Sequence, residues 1–141
     1  KDLKLFKTII KNSFLLSSLT GLLISIIYFF INEHIINLMS DIENIRKLSS
    51  SYVIWLILLP FIASFCYQFD GIFIGSSQTK ELRNAMIFSV FCYLLISITL
   101  TKYLFNTGVW ISLCLFMILR GLSLFYYLDK IYQRFDSKIN T

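Results

Sequence analysis

Pro60 to Asn84 reads PFIASFCYQFDGIFIGSSQTKELRN. It opens as an uncharged apolar run, acquires Gln68 and Asp70 inside that run, passes Gly71 and Gly75, and ends at Lys80, Glu81 and Arg83. An apolar run of this length bounded by charge is the signature of a membrane-spanning helix. A carboxylate inside it is costly unless it meets a partner. What Asp70 faces is therefore the first question this chain poses.

The composition points the same way. Of 141 residues, 57% are hydrophobic, 17% aromatic and only 15% charged, and the mean hydropathy is +0.72. Soluble domains carry about 25% charged residues. Cys66, Cys92 and Cys114 fall in different apolar runs with no metal-ligand or disulfide spacing, so they read as small apolar residues. His34 stands alone at the end of a run and reads as interfacial. No nucleophile with its base, phosphate loop or paired-carboxylate site occurs, so neither an enzyme nor a cofactor is expected. Lys1 to Lys11 is too evenly charged for a signal peptide, and no small-residue cleavage site follows the next apolar run.

Working outward from residues 60–84, four apolar runs emerge, predicting transmembrane helices at about 12–33, 48–75, 84–103 and 107–128. The intervening loops are short, so neighbouring helices should run antiparallel. The chain 1–141 is thus read as a single all-α membrane unit in a lipid bilayer. Lys1, Lys4, Lys7 and Lys11 precede the first run, Lys80 and Arg83 follow the second, and Lys130, Arg134 and Lys138 follow the fourth. Arg46, Lys47 and Lys102 on the other side are offset by Glu33, Asp41 and Glu43. Basic residues are retained on the cytoplasmic side, which predicts both termini in the cytoplasm. The net charge of +5 is then a topology signal, and no nucleic acid is implied.

The flanks at about 1–11 and 129–141 read as amphipathic tails on the inner leaflet. Lys4, Lys7 and Lys11 share one face in the first; Ile131, Phe135 and Ile139 run beside Lys130, Arg134 and Lys138 in the second. Ser40-Asp41-Ile42-Glu43 has capping-box spacing and predicts a helix continuing through Ile45 and Tyr52 into the second span. Ser17, Gly21 and Ser25 recur every four residues, a small-residue face suited to close helix approach.

At 100° per residue, Pro60, Ser64, Tyr67, Gln68, Gly71, Gly75 and Gln78 fall on one side of the second span, expected to face protein or water. Ile62, Phe65, Phe69, Ile72 and Phe73 fall on the other, expected to face lipid. Asp70 lies at the edge of the polar wedge. Arg120, also inside an apolar run, falls in the same inner half of the membrane, so Asp70 and Arg120 are the candidate intramembrane charge pair; a direct role for Asp70 in cation coupling or substrate contact, and its pairing with Lys80 or Arg83 at the interface, are the alternative readings. Tyr67 and Gln68 are candidate cavity-facing residues, since an aromatic face suits an organic cation.

Phe69-Asp70-Gly71-Ile72-Phe73-Ile74-Gly75, followed by Thr79, Glu81, Arg83-Asn84 and Met86, resembles the multidrug and toxic compound extrusion (MATE) transporters, in particular the DNA-damage-inducible, DinF-like branch. Leu119-Arg120-Gly121-Leu122-Ser123-Leu124, Leu59-Pro60, and Leu38-Met39-x-Asp41-Ile42-Glu43 ahead of Tyr52 add to the likeness, which covers about Thr8 to Leu128. The resemblance implies a twelve-helix antiporter of two six-helix lobes, exporting small organic, often cationic, compounds against H+ or Na+ across the inner membrane of a bacterium. These spans would be helices nine to twelve, the end of the C-terminal lobe, and the chain's partners would be the N-terminal lobe and the first two helices of its own lobe. On that reading the segment is incomplete by itself. The acid credited with ion coupling in this branch lies in the N-terminal lobe, so no residue here inherits that role. Two other readings are a non-transporting remnant or assembly subunit, and a self-contained four-helix small multidrug exporter. The latter relies on a glutamate within its first helix, and the run between Lys11 and Glu33 has no acid.

Overall fold

Apolar sequence without β-branched alternation or paired turn signals leaves the backbone one economical way to satisfy its polar groups, the α-helix. The computed structural model describes residues 3–137, with side chains described for residues 4–129 and 131–133. Its elements are α1 (Leu3–Met39), α2 (Glu43–Ser50), α3 (Val53–Gly75) and α4 (Thr79–Ser137), with no strand among the described residues. Of the expected tail features, Lys1, the side chains of Phe135, Lys130 and Arg134, and residues Lys138 and Ile139 lie outside the described residues.

Helix α4 is not one rod. At 59 residues a straight helix would extend about 89 Å. Phe105 breaks it, with φ 48° and ψ −129°, and the two limbs fold back on each other. Tyr93 meets Phe116 at 5.6 Å between ring centroids, and a Cβ added at Gly108 would lie 2.6 Å from the Leu100 carbonyl. Both pairs are centred on the same point, as an antiparallel hairpin requires. The polar gap around Lys102, Asn106 and Thr107 marks this turn in the sequence.

Helix α3 lies between α1 and the α4 hairpin. Toward α1, Gly21 lets the backbones approach so closely that a Cβ there would sit 2.7 Å from Ser64 Oγ and 3.2 Å from the Pro60 carbonyl. Ser17 Oγ donates to the Ser64 carbonyl at 3.0 Å, and Ser25 is buried on the same stripe. The small-residue face read from the sequence is therefore a helix contact. Toward α4, Phe73, Ala85, Leu124, Leu128 and Ile131 form a buried cluster.

That cluster corrects the angular reading of α3. Phe73 is fully buried, and Phe69 packs edge-on against Phe14 at 4.7 Å and Phe125 at 6.1 Å. Gly71 and Gly75, expected at a close helix contact, are exposed, and an added Cβ would meet nothing within 4 Å at either. An angular sort assigns one protein-facing side, whereas α3 packs on two sides.

The start of α2 also differs from expectation. Its N-cap is Ile42, with no side-chain cap. Ser40 Oγ instead accepts from the Ile42 N–H at 3.2 Å. The helix ends at Ser50 rather than continuing into α3. Ser50 and Ser51 hydroxyls turn back onto the Arg46 and Lys47 carbonyls, and serines that bond their own backbone compete with helix propagation. At the other end, α1 runs unbroken from Leu3, so residues 3–11 share an axis with the span that follows them.

Candidate functional site

The turns sort the polar chemistry to two ends of the bundle. Phe6 lies 6.2 Å from Tyr132 edge-on, and Lys7 Nζ lies 5.0 Å above the same ring. The α1 start and the far end of α4 therefore meet, beside the cluster that joins Phe73 to Ala85. Exposed Lys4, Lys7, Lys11, Lys80 and Arg83 lie at this end. At the opposite end a groove of about 460 Å³ is lined by Ile36 and Met39 of α1, Leu48 of α2, Tyr52 and Val53 at the start of α3, and Asn106 beside the α4 turn. Here Arg46 pairs with Asp41 at 3.6 Å and Lys47 with Glu43 at 2.9 Å.

Inside the bundle, Asp70 sits on the last two turns of α3 and Arg120 on the second limb of α4. Arg120 Nη2 lies 2.8 Å from Asp70 Oδ2, with 12% of the arginine and 15% of the aspartate side chain exposed. A charge pair in such surroundings is held strongly, because separating the charges would leave each in low dielectric. The pairing is single-pronged. Asp70 Oδ1 and Arg120 Nε are both buried without a hydrogen-bond partner among the described residues. An arginine can present Nε and Nη2 side-on to both oxygens of a carboxylate; here one of the two contacts is made.

Next to the pair runs an apolar groove of about 440 Å³ between α3 and the second limb of α4, lined by Phe61, Phe65, Cys66, Phe69, Met117 and Phe125 among others. Cys66, one turn before Asp70, is 1% exposed, which fits a thiol used as a small core residue. This groove is not apparent from the sequence of either helix taken singly. Its signal is the row Phe61, Phe65, Phe69 at four-residue spacing, which reads as lipid-facing until a second helix is placed beside it. Tyr67 is 58% exposed and Gln68 half-buried; neither joins the charge pair or lines the groove. Among the described residues no group of three or more His, Cys, Asp or Glu could hold a metal ion.

The family model MatE matches residues 1–104. The chain is similar to the DNA damage-inducible protein F of Escherichia coli (strain K12), at 39% identity over 108 residues, which is 77% of this chain and 23% of that relative's length. No solved structure matches. A family match reaching from α1 into the first limb of α4, joined to that identity, establishes that the chain belongs to the MatE family of multidrug and toxic compound extrusion transporters.

Proposed function

We propose that this chain is the C-terminal segment of a cation-coupled antiporter that exports small organic, often cationic, compounds, with H+ or Na+ as the coupling ion. The observation that carries the reading is the charge pair Asp70–Arg120, buried inside helices of a family built for transport. In this reading α1, α3 and the two limbs of α4 cross the membrane as the last four helices of the transporter, and α2 lies at the outer surface. The basic end of the bundle faces the cytoplasm, in keeping with the positive-inside rule, which sets both termini there in a bacterial inner membrane.

Asp70 and Arg120 act as the joint between α3 and the α4 hairpin. Their attraction holds the two in register while the lobe moves as a body, the motion alternating access requires. Tyr67 and Gln68, on a side of α3 apart from the groove, face the central cavity. The segment works with the remainder of the transporter, since the relative it matches is far longer than the chain. The test is dye efflux from cells that carry the chain alone or joined to the upstream helices of its transporter. Efflux is expected only from the joined form; efflux from the chain alone would overturn the proposal.

A further inference from the structure

We infer that the α4 hairpin carries a binding site for one anionic phospholipid at the basic end of the bundle. The inference rests on the reading of this chain as membrane-spanning. Two grooves flank Phe88 and meet at Asn84. One, about 440 Å³, lies between the limbs and is lined by Asn84, Phe88, Leu119, Leu122 and Tyr126 among others. The other, about 400 Å³, lies on the outer face of the first limb, between Asn84, Ile87, Phe88 and Phe91. From Asn84 to Phe91 the helix advances about 10 Å. The grooves thus begin near the membrane surface and lead inward.

Helical spacing places Lys80 one turn before Asn84, Glu81 one turn before Ala85 and Arg83 one turn before Ile87, so two cations and one acid stand on the turn that precedes the grooves. Both cations are exposed, and neither forms an ion pair among the described residues. At the opposite end Arg46 and Lys47 are each matched to an acid, while Lys102 is exposed without an ion pair among the described residues. The grooves themselves are apolar along their length, with Phe88, Phe91 and Leu122 all more than half exposed. Two shallow, mainly apolar grooves diverging from an amide, with two cations unpaired among the described residues on the preceding turn, match a two-chain lipid: acyl chains on either side of Phe88, headgroup phosphate at Lys80, Arg83 and Asn84. Basic pockets beside transmembrane helices recognise anionic headgroups by this combination of charge and acyl contact.

The test uses the purified chain in neutral detergent, with native mass spectrometry to count bound lipid and far-UV circular dichroism to confirm helix content. Phosphatidylglycerol is expected to remain bound at one molecule per chain, while phosphatidylcholine dissociates and inorganic phosphate fails to compete. Removing both cations (Lys80→Gln with Arg83→Gln) should weaken phosphatidylglycerol binding about thirtyfold, roughly fivefold for each charge. Lys7→Gln with Lys11→Gln removes the same charge at the same end, outside the grooves, and should change binding less than threefold. Leu122→Trp fills the groove with all charges retained and should also release the lipid.

Equal binding of both lipids, equal loss from the two charge-removal variants, or competition by phosphate alone would each overturn the site. Should the Lys80/Arg83 variant lose helix, the lipid comparison on the unaltered chain and the Leu122→Trp variant still decide. Membrane insertion is read separately, by flotation with liposomes. A chain that floats but shows no headgroup preference refutes the lipid site and leaves the transporter reading standing.

Discussion

Neutralising Asp70 alone should damage the protein more than neutralising Asp70 and Arg120 together. With only 12% and 15% of the two side chains exposed, removing one partner leaves the other as an uncompensated charge. Breaking a buried pair in this way costs about 3–5 kcal/mol. The existing contact is single-pronged, with Oδ1 and Nε unpartnered among the described residues, so we expect the lower part of that range, about 3 kcal/mol for Asp70→Asn and a similar amount for Arg120→Gln. In the double variant no charge remains, and the two amides can bond to each other, at a residual cost of about 1–2 kcal/mol for imperfectly satisfied polar groups. The singles would then exceed the double by a coupling energy of roughly 4 kcal/mol, far above the few tenths expected of independent sites. The assay is unfolding of the chain from neutral micelles by added sodium dodecyl sulfate, followed by far-UV circular dichroism. If the double variant loses as much stability as the two singles summed, the charges do not act through each other.

Four further substitutions check the packing. Gly21→Ala should cost about 1–3 kcal/mol by overpacking, because its Cβ would meet Ser64 Oγ at 2.7 Å; Gly71→Ala, which meets nothing within 4 Å, should be neutral or gain up to about 1 kcal/mol of helix propensity. Both are read by the same unfolding titration, and a reversed order would contradict the α1–α3 contact. Phe105→Gly should stabilise by about 1 kcal/mol, since φ 48° is strained for any side chain and Phe105 is 77% exposed with little packing to lose. Gly108→Ala should destabilise the same turn by about 1–3 kcal/mol, its Cβ pressing on the Leu100 backbone; a neutral result would mean that the limbs do not close there. A fluorescent protein joined after Thr141 should light up in cells, and one inserted between Lys102 and Asn106 should stay dark if that turn is exported; the opposite pattern would invert the proposed orientation.

Several of these features were readable from the residues alone. Asp70 and Arg120 are acid and base stranded in apolar runs, and counting turns puts both in the same half of the bundle, which allows their pairing; the choice of Arg120 over Lys80 or Arg83 needs the packed helices. The Ser17, Gly21, Ser25 stripe announced a close contact because small side chains offer little else to pack. The faces of α3 were not readable in the same way. Phe69 and Phe73 are as apolar as any lipid-facing residue, and only the presence of neighbours on two sides turns them inward. The end of α2 at Ser50 escaped for a different reason: a capping-box spacing reports side-chain types, while hydroxyls bonding back to the Arg46 and Lys47 carbonyls decide where the helix stops. The α3–α4 groove depends on the pairing of two helices, which no single helix's pattern contains.

The polar contacts of α3 explain how a helix so uniformly apolar finds one orientation. Between membrane helices there is no hydrophobic driving force to distinguish one greasy face from another, so close packing and polar contacts decide. On α3 these lie at two places. Ser64, with the Pro60 carbonyl beside it, is tied to Ser17 and Gly21 of α1, and Asp70 is tied to Arg120 of α4. Six residues separate Ser64 from Asp70 along the helix, which sets them about 9 Å apart along the axis and about 120° apart around it. Two ties at different heights and different azimuths remove both sliding and rotation, which neither tie alone could do. Turning α3 by one residue to relieve the crowding at Gly21 would swing Asp70 about 100° away from its partner and into apolar surroundings. The charge pair therefore guards the α1 contact as well as its own, and loosening at Gly21 should be felt at Arg120.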